Sequence, residues 1–202
     1  MARCFSYIVA RDYGFAPNPF HGVMTLATCK PKIRKSAQVG DYIIGHAVKN
    51  HSHKLIFMMK VTEVSIFDKY WEDLRFQNKK PIMNGSLVTK YGDNIYHHEN
   101  GKWIQSDSHH SLDRGEPNPL NIEKDTKTTD RVLISTDFIY LGKSMLSLPK
   151  ELRGYIHKTR GHRCVPISIA EKIWNYLCER FPERGLIDDP LLFRNFKRYD
   201  GK

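Results

Sequence analysis

Four short apolar runs limit what this chain can fold into: FSYIVA (5–10), VGDYIIGHAV (39–48), KLIFMMKVTEV (54–64) and RVLISTDFIYLG (131–142). Each is rich in β-branched or aromatic residues and ends near Gly, Pro, Asn or Asp, which is the pattern of strands rather than long helices. In the first run Phe5, Tyr7 and Val9 alternate onto one face, as a half-buried strand requires. The polar loop KNHSH joins the second run to the third, and the fourth closes the sheet. Asn100-Gly101 lies between the aromatic-bearing arms of NIYHHENGKWIQ (94–105); this dipeptide suits a two-residue type I′ turn and predicts a hairpin.

Helical spacing is rarer. TCKPKIRKSA (28–37) reads as a short helix with Thr28 as cap and Pro31 in its first turn. SIFDKYWEDLRF (65–76) places Phe67, Tyr70, Trp71 and Leu74 on one side behind Ser65 as cap. LPKELRGYIH starts another helix at Pro149. PISIAEKIWNYLCERF (166–181) carries Ile169, Ile173, Trp174, Leu177 and Phe181 as one stripe, with Ser168 and Glu171 at capping-box spacing. DRGEPNPLNIEKDTKTTD (113–130) has no apolar period and reads as a long surface loop, which is uncommon without a functional reason. The element order predicts an α+β fold: a small curved, mostly antiparallel sheet or open barrel with inserted helices and a C-terminal helical section. No repeat or linker divides the chain. We therefore expect one domain over 1–202: a core at 1–145 with an irregular insertion at about 77–130, and 146–202 packed against it.

No apolar run approaches the roughly 20 residues that span a bilayer. The opening MARCFSYIVARDYG is cut off by Arg11 and Asp12 and lacks a small-residue cleavage site. The four cysteines, Cys4, Cys29, Cys164 and Cys178, are widely scattered, so a reducing compartment is expected. These features predict a cytoplasmic protein without membrane contact. The formal charge is +10, and its distribution says more than its size. Residues 1–60 hold nine basic and two acidic side chains, 61–149 hold eleven and thirteen, and 150–202 hold twelve and seven. Positive charge segregated in this way predicts a polyanionic partner, DNA or a nucleotide.

Residues 11–41 concentrate that chemistry. Lys30, Lys32, Arg34 and Lys35 fall within six positions, beside a loop bearing Arg11, Tyr13, Phe15, Asn18 and Phe20. Cations bind phosphate and aromatic faces stack bases; Arg34, with its two-pronged guanidinium, is the first choice for phosphate. Asp93 and Asn94, near Tyr96, are suited to reading a base edge. Arg160, His162 and Arg163 form a second basic loop facing Arg34 across a cleft. Asp12 and Asp93 are the acid–base candidates. Each feature also has a structural reading: lysines as the solvated side of a helix, phenylalanines as core, Asp93-Asn94 as a turn that caps its own backbone, and the second basic loop as a helix cap. Cys29 beside Lys30 reads as a small buried thiol rather than a nucleophile. His51/His53, His97/His98 and His109/His110 are paired, and His110 with Asp113 offers ligand atoms. Established metal-ligand spacings are missing, so no metal and no cofactor are expected.

The run YIVARDYGFAPNPFHGVMTLATCKPKIRKSAQVGDYIIG (7–45) resembles the opening of the family called nucleotide modification associated domain, type 2. The likeness continues through MMKVTEVSIFDKYWEDLRF, KYGDNIYHH, RVLISTDFIYLG and TRGHR. It implies a bacterial or phage setting alongside DNA base modification. A looser likeness, carried by Gly40-Asp41 and by Val61–Tyr70, is to PUA-like domains such as EVE and ASCH; it implies a small barrel that holds a flipped or modified base. Two functions stay open: a module that recognises a modified base or nucleotide, and an enzyme of base modification that uses the same pocket.

Overall fold

A computed structural model describes residues 2–201. The strands are β1 (Cys4–Ile8), β2 (Met24–Leu26), β3 (Tyr42–His46), β4 (Leu55–Lys60), β5 (Glu63–Ile66), β6 (Tyr96–Glu99), β7 (Lys102–Gln105), β8 (Arg131–Ser135), β9 (Asp137–Tyr140), β10 (His162–Val165) and β11 (Gly185–Leu186). The α-helices are α1 (Pro31–Ser36), α2 (Phe67–Glu72), α3 (Leu87–Lys90), α4 (Pro119–Thr126) and α5 (Ile167–Arg180). One sheet runs β10-β1-β3-β4-β9-β11, a second β2-β8-β5, and β6-β7 is a separate hairpin. Only the β1–β3 and β9–β11 pairings are parallel. The fold is α+β with small, mostly antiparallel sheets, and these sheets do not close into a barrel.

The layers follow from which face each side chain takes. On the six-stranded sheet Phe5, Tyr7, Ile43, Phe57 and Met59 pack against Met24, Leu26 and Leu133 of the second sheet and Ile33 of α1. Cys4, Ile44, Met58 and Ile139 point the other way, onto Ile173, Trp174 and Leu177 of α5. The first strand is therefore buried on both faces rather than half-buried. The second sheet turns its far side, with Val132 and Ile134, towards Phe67, Tyr70, Tyr91 and Tyr96. The resulting order is α5, large sheet, small sheet, and an aromatic layer built from α2 and the β6–β7 hairpin.

Several local expectations are met. Asn100 and Gly101 both have positive φ, at 50° and 75°, in the turn that pairs Glu99 with Lys102. Of the α5 stripe, Ile173, Trp174 and Leu177 are buried, while Ile169 and Phe181, the latter at the C-cap, are half-buried. Other expectations are corrected. RVLISTDFIYLG splits into β8 and β9, which lie in different sheets, and KLIFMMKVTEV likewise splits into β4 and β5. No side chain caps α1 or α5; their N-caps are Lys30 and Pro166. Ser65 lies within β5 instead of capping α2. Residues 150–155 form a 3-10 turn.

The correction with most bearing on function concerns 113–130. This segment contains α4, capped by the Asn118 side chain on the backbone N–H groups of Leu120 and Asn121, with Pro119 in its first turn. Its inward residues, Asn121 and Asp125, are four apart and polar, so the buried face leaves no apolar period. The last residues return to the N-terminal loop. Leu191 and Leu192 donate their backbone N–H groups to Asp12, at 3.0 Å to the carboxylate and 2.8 Å to the carbonyl, and Tyr199 donates to the His109 carbonyl at 2.7 Å. No described helix is long and apolar enough to cross a membrane.

Candidate functional site

A cavity of about 480 Å³ opens between the end of β1, the 10–16 loop, the start of α1, the 109–110 turn, α4 and Tyr199. That size is ordinary for a small-molecule site. Its aromatic walls are Tyr7, Tyr13, Phe15 and Tyr199, and its cations are Arg11, Lys30, Lys124 and Arg160. Arg11 lies 5.0 Å from the centre of the Tyr199 ring, and Lys30 lies 4.5 Å from that of Tyr7. Among the described residues, Arg11, Lys30 and Arg160 form no ion pair with a carboxylate. Lys124 donates to the Gly201 carbonyl.

The two basic ends of the chain meet here because β10 pairs with β1. His162 reports the convergence: its imidazolium is disfavoured first by burial, then by His157, Lys32 and Lys30. Of the expected site residues, Arg11, Phe15, Lys30 and Arg160 line the cavity. Lys32, His162 and Arg163 stand outside its lining; Lys32 and Arg163 are exposed, while the His162 ring packs on Phe5 at 5.7 Å. Phe20 packs on Phe193 in the core.

The remaining expected residues are interior. Arg34, first choice for phosphate, is fully buried. Its guanidinium donates to the carbonyls of Cys29 at 2.9 Å, Arg131 at 2.7 Å, and Asp125, which consumes the prongs a phosphate would need. Asp93 accepts from Thr25 Oγ1 at 2.6 Å and the Tyr70 hydroxyl at 2.9 Å, and burial pushes its carboxyl up. Asn94 donates to the carbonyls of Tyr70 and Phe76. Asn18 donates to the Tyr91 carbonyl and accepts from Lys79 at 2.7 Å. Asp12 accepts from Tyr140 and Leu191 and ties down the C-terminal segment. Asp93 and Asn94 are thus held by groups distant in the chain rather than capping their own backbone, and the buried Asn94 Oδ1 accepts no hydrogen bond from a described residue. The Arg34-to-Arg163 clamp does not form, because one of its arms is inside the protein.

The group that the sequence reading set aside lies at the cavity. Cys29 Sγ is half-buried, 3.8 Å from His110 Nε2. His110 Nδ1 is 2.9 Å from Asp125 Oδ2, which also accepts from the Tyr96 hydroxyl at 3.0 Å. The other carboxylate oxygen accepts the Cys29 backbone N–H at 2.7 Å. Tyr96, expected at a base edge, thus acts behind the cavity through Asp125. The expected pairing of His110 with Asp113 is replaced by His110 with Asp125, the next-to-last residue of α4.

Electrostatics follow from this geometry. Burial alone would lower the His110 pKa, but the Asp125 carboxylate and the negative form of Cys29 outweigh it and raise the value to about 9. Asp125 is held below its ordinary value: burial opposes this, and His110 and Arg34 overcome it. Neighbouring His109 goes the other way, to about 3, chiefly because it is buried and faces His110. The chain at Cys29 is strained. Cys29 and Lys30 have φ of 57° and 41°, a left-handed pair without glycine that costs of order 1–3 kcal/mol per residue. Arg34 and Asp125 hold that conformation through the Cys29 carbonyl and N–H. No periodic signal marks Cys29, and Asp125 was hidden in the apparent loop; Asn118-Pro119 was the available sign of a helix start.

The wall of this cavity therefore brings aromatic faces, cations and a Cys–His–Asp group together. The family model for nucleotide modification associated domain 2 matches residues 1–197, and the chain belongs to that family. No curated protein and no solved structure matches it.

Proposed function

We propose that this cavity binds a nucleotide and discriminates a modified base, presented free or extruded from DNA. The base lies among Tyr7, Tyr13, Phe15 and Tyr199, and phosphate meets Arg11, Lys30 and Arg160. Lys32 and Arg163, on the surface nearby, serve flanking phosphates when the ligand is a strand. The observation that supports this reading most is three cations on the wall of an aromatic-lined cavity that, among the described residues, have no carboxylate partner. A protein folding for stability alone gains little by collecting like charges there. Membership of a family named for nucleotide modification points the same way.

The test is equilibrium binding of nucleoside monophosphates and short duplexes, with unmodified and modified pyrimidines, at several salt concentrations. Arg160→Ala should weaken binding about tenfold, as loss of a charged hydrogen bond does, and flatten the salt dependence. Its melting temperature should not move, because Arg160 is exposed. Absence of saturable, salt-sensitive binding to every ligand would refute the proposal.

A further inference from the structure

We propose that Cys29, His110 and Asp125 form a nucleophilic triad that cleaves or transfers an acyl group, amide or ester, carried by the bound nucleotide. The inference rests on the nucleotide reading for its substrate and on geometry for its chemistry. His110 presents Nε2 to Sγ at 3.8 Å and Nδ1 to Asp125 at 2.9 Å, so one nitrogen serves the thiol while the other is fixed by the carboxylate. This is the division of labour that activates a nucleophile beside a base.

The environment separates Cys29 from the other cysteines. Burial pushes the Cys4 thiol up to about 12, while Cys164 is exposed on β10 and Cys178 lies on α5. Among the described residues, Cys29 alone has a histidine in contact with its sulfur. It also sits on two successive left-handed residues held by Arg34 and Asp125. A buried His–Asp pair by itself is a common structural device; here the third member opens onto a cavity that also holds cations.

The position of His110 selects the reaction class. Displacement at a tetrahedral carbon ejects the leaving group opposite the sulfur, out of reach of His110. At a trigonal carbonyl carbon the leaving atom departs from an adduct whose carbon is bonded to Sγ, within reach of Nε2. The Cys29 thiolate adds to the carbonyl carbon, forming the S–C bond and shifting the π pair to oxygen, where the Lys30 ammonium offers a counter-charge. Collapse breaks the bond to the nitrogen or oxygen leaving group, which takes the proton from His110 Nε2. Neutral His110 then accepts a proton from water as its oxygen attacks the thioester carbon, and the S–C pair returns to Sγ. The sum is acyl substrate plus water giving carboxylic acid plus amine or alcohol, with no change of oxidation state.

The full chain treated with p-nitrophenyl acetate, an acyl probe that needs no nucleotide site, should release p-nitrophenolate in a burst. It should also gain one acetyl group on the peptide containing Cys29. Cys164, exposed in the same molecule, is the internal control. Cys29→Ser should abolish the thioester, and His110→Gln should slow acetylation by roughly 10²-fold or more, as loss of a proton-transfer partner does. Acetylation of Cys164 should be unchanged in both, and a cooperative thermal melt of each variant reports that it is folded. If Cys29 reacts no faster than Cys164 in the unaltered protein, the triad is wrong, even if nucleotides bind. If Cys29 reacts quickly but nucleoside monophosphates neither bind nor protect it, the triad stands and the nucleotide reading fails.

Discussion

Asp125→Asn removes one charge while preserving the size and shape of the side chain, so it isolates what the carboxylate does to His110. In the unaltered protein the carboxylate sits 2.9 Å from Nδ1, and the imidazole titrates near 9 instead of its ordinary 6.5. At about 1.4 kcal/mol per pKa unit that rise corresponds to roughly 3 kcal/mol of preference for the charged ring. With the amide in place the largest raising influence is gone, burial still opposes the charge, and the His110 pKa should fall well below 9. The amide can still accept the Cys29 N–H, and its NH₂ turns towards Nδ1, which then accepts. The proton moves to Nε2, facing the thiol, so the ring can no longer take the sulfur's proton. In the Ser–His–Asp template this tautomer error costs about 10⁴-fold in rate.

The assay is NMR titration of the His110 ring in both proteins, with chemical unfolding at pH 6 and pH 9.5. A pKa raised in the folded state contributes stability that is complete below the unfolded value of about 6.5 and is lost as pH rises through the folded value near 9. The advantage of the unaltered protein over the variant should therefore shrink by on the order of 3 kcal/mol across that window. Comparing the two proteins matters because Lys79 acts with the opposite sign. It is buried, its pKa is lowered to about 7 mainly by burial, and Asp93 only partly restores it. That contribution is common to both proteins and cancels. A His110 midpoint that stays near 9 in Asp125→Asn would refute the electrostatic argument.

Other outcomes follow from buried groups. Arg34→Ala should cost on the order of 3–5 kcal/mol in unfolding free energy, since it exposes three buried carbonyls and leaves Asp125 short of a cation. Lys32→Ala, two positions away on the exposed side, should cost less than about 0.5 kcal/mol. Lys79→Met should remove a pH dependence: the unaltered protein loses stability as pH falls from about 10.5 to about 7, and the variant should not in urea titrations. Gly45→Ala would place a Cβ 2.0 Å from the Phe57 ring. Because that ring is buried in the main core, thermal melting should show a loss of about 1–3 kcal/mol.

The sequence by itself determined the parts of the molecule governed by neighbours in the chain. Asn100-Gly101 determined the hairpin because few other residue pairs accept two positive φ values. Ile173, Trp174 and Leu177 determined the buried face of α5, and the short apolar runs determined the strands. The tertiary structure decided what the polar residues do. Arg34 looks like a phosphate ligand beside Lys32 and Lys35, but at its turn of α1 the side chain points inward, where its hydrogen bonds go to backbone carbonyls. Asp93 and Asp125 are both buried carboxylates, yet one is sealed behind Tyr70 and the other reaches a cavity through His110. Cys29, His110 and Asp125 are separated by 81 and 15 positions in the chain. No local propensity links them, since α4 turns a polar face inward and so lacks the apolar period that reveals a helix. Their meeting depends on β2 pairing with β8 and on α1 packing beside α4; these long-range contacts bring a thiol, an imidazole and a carboxylate to one wall.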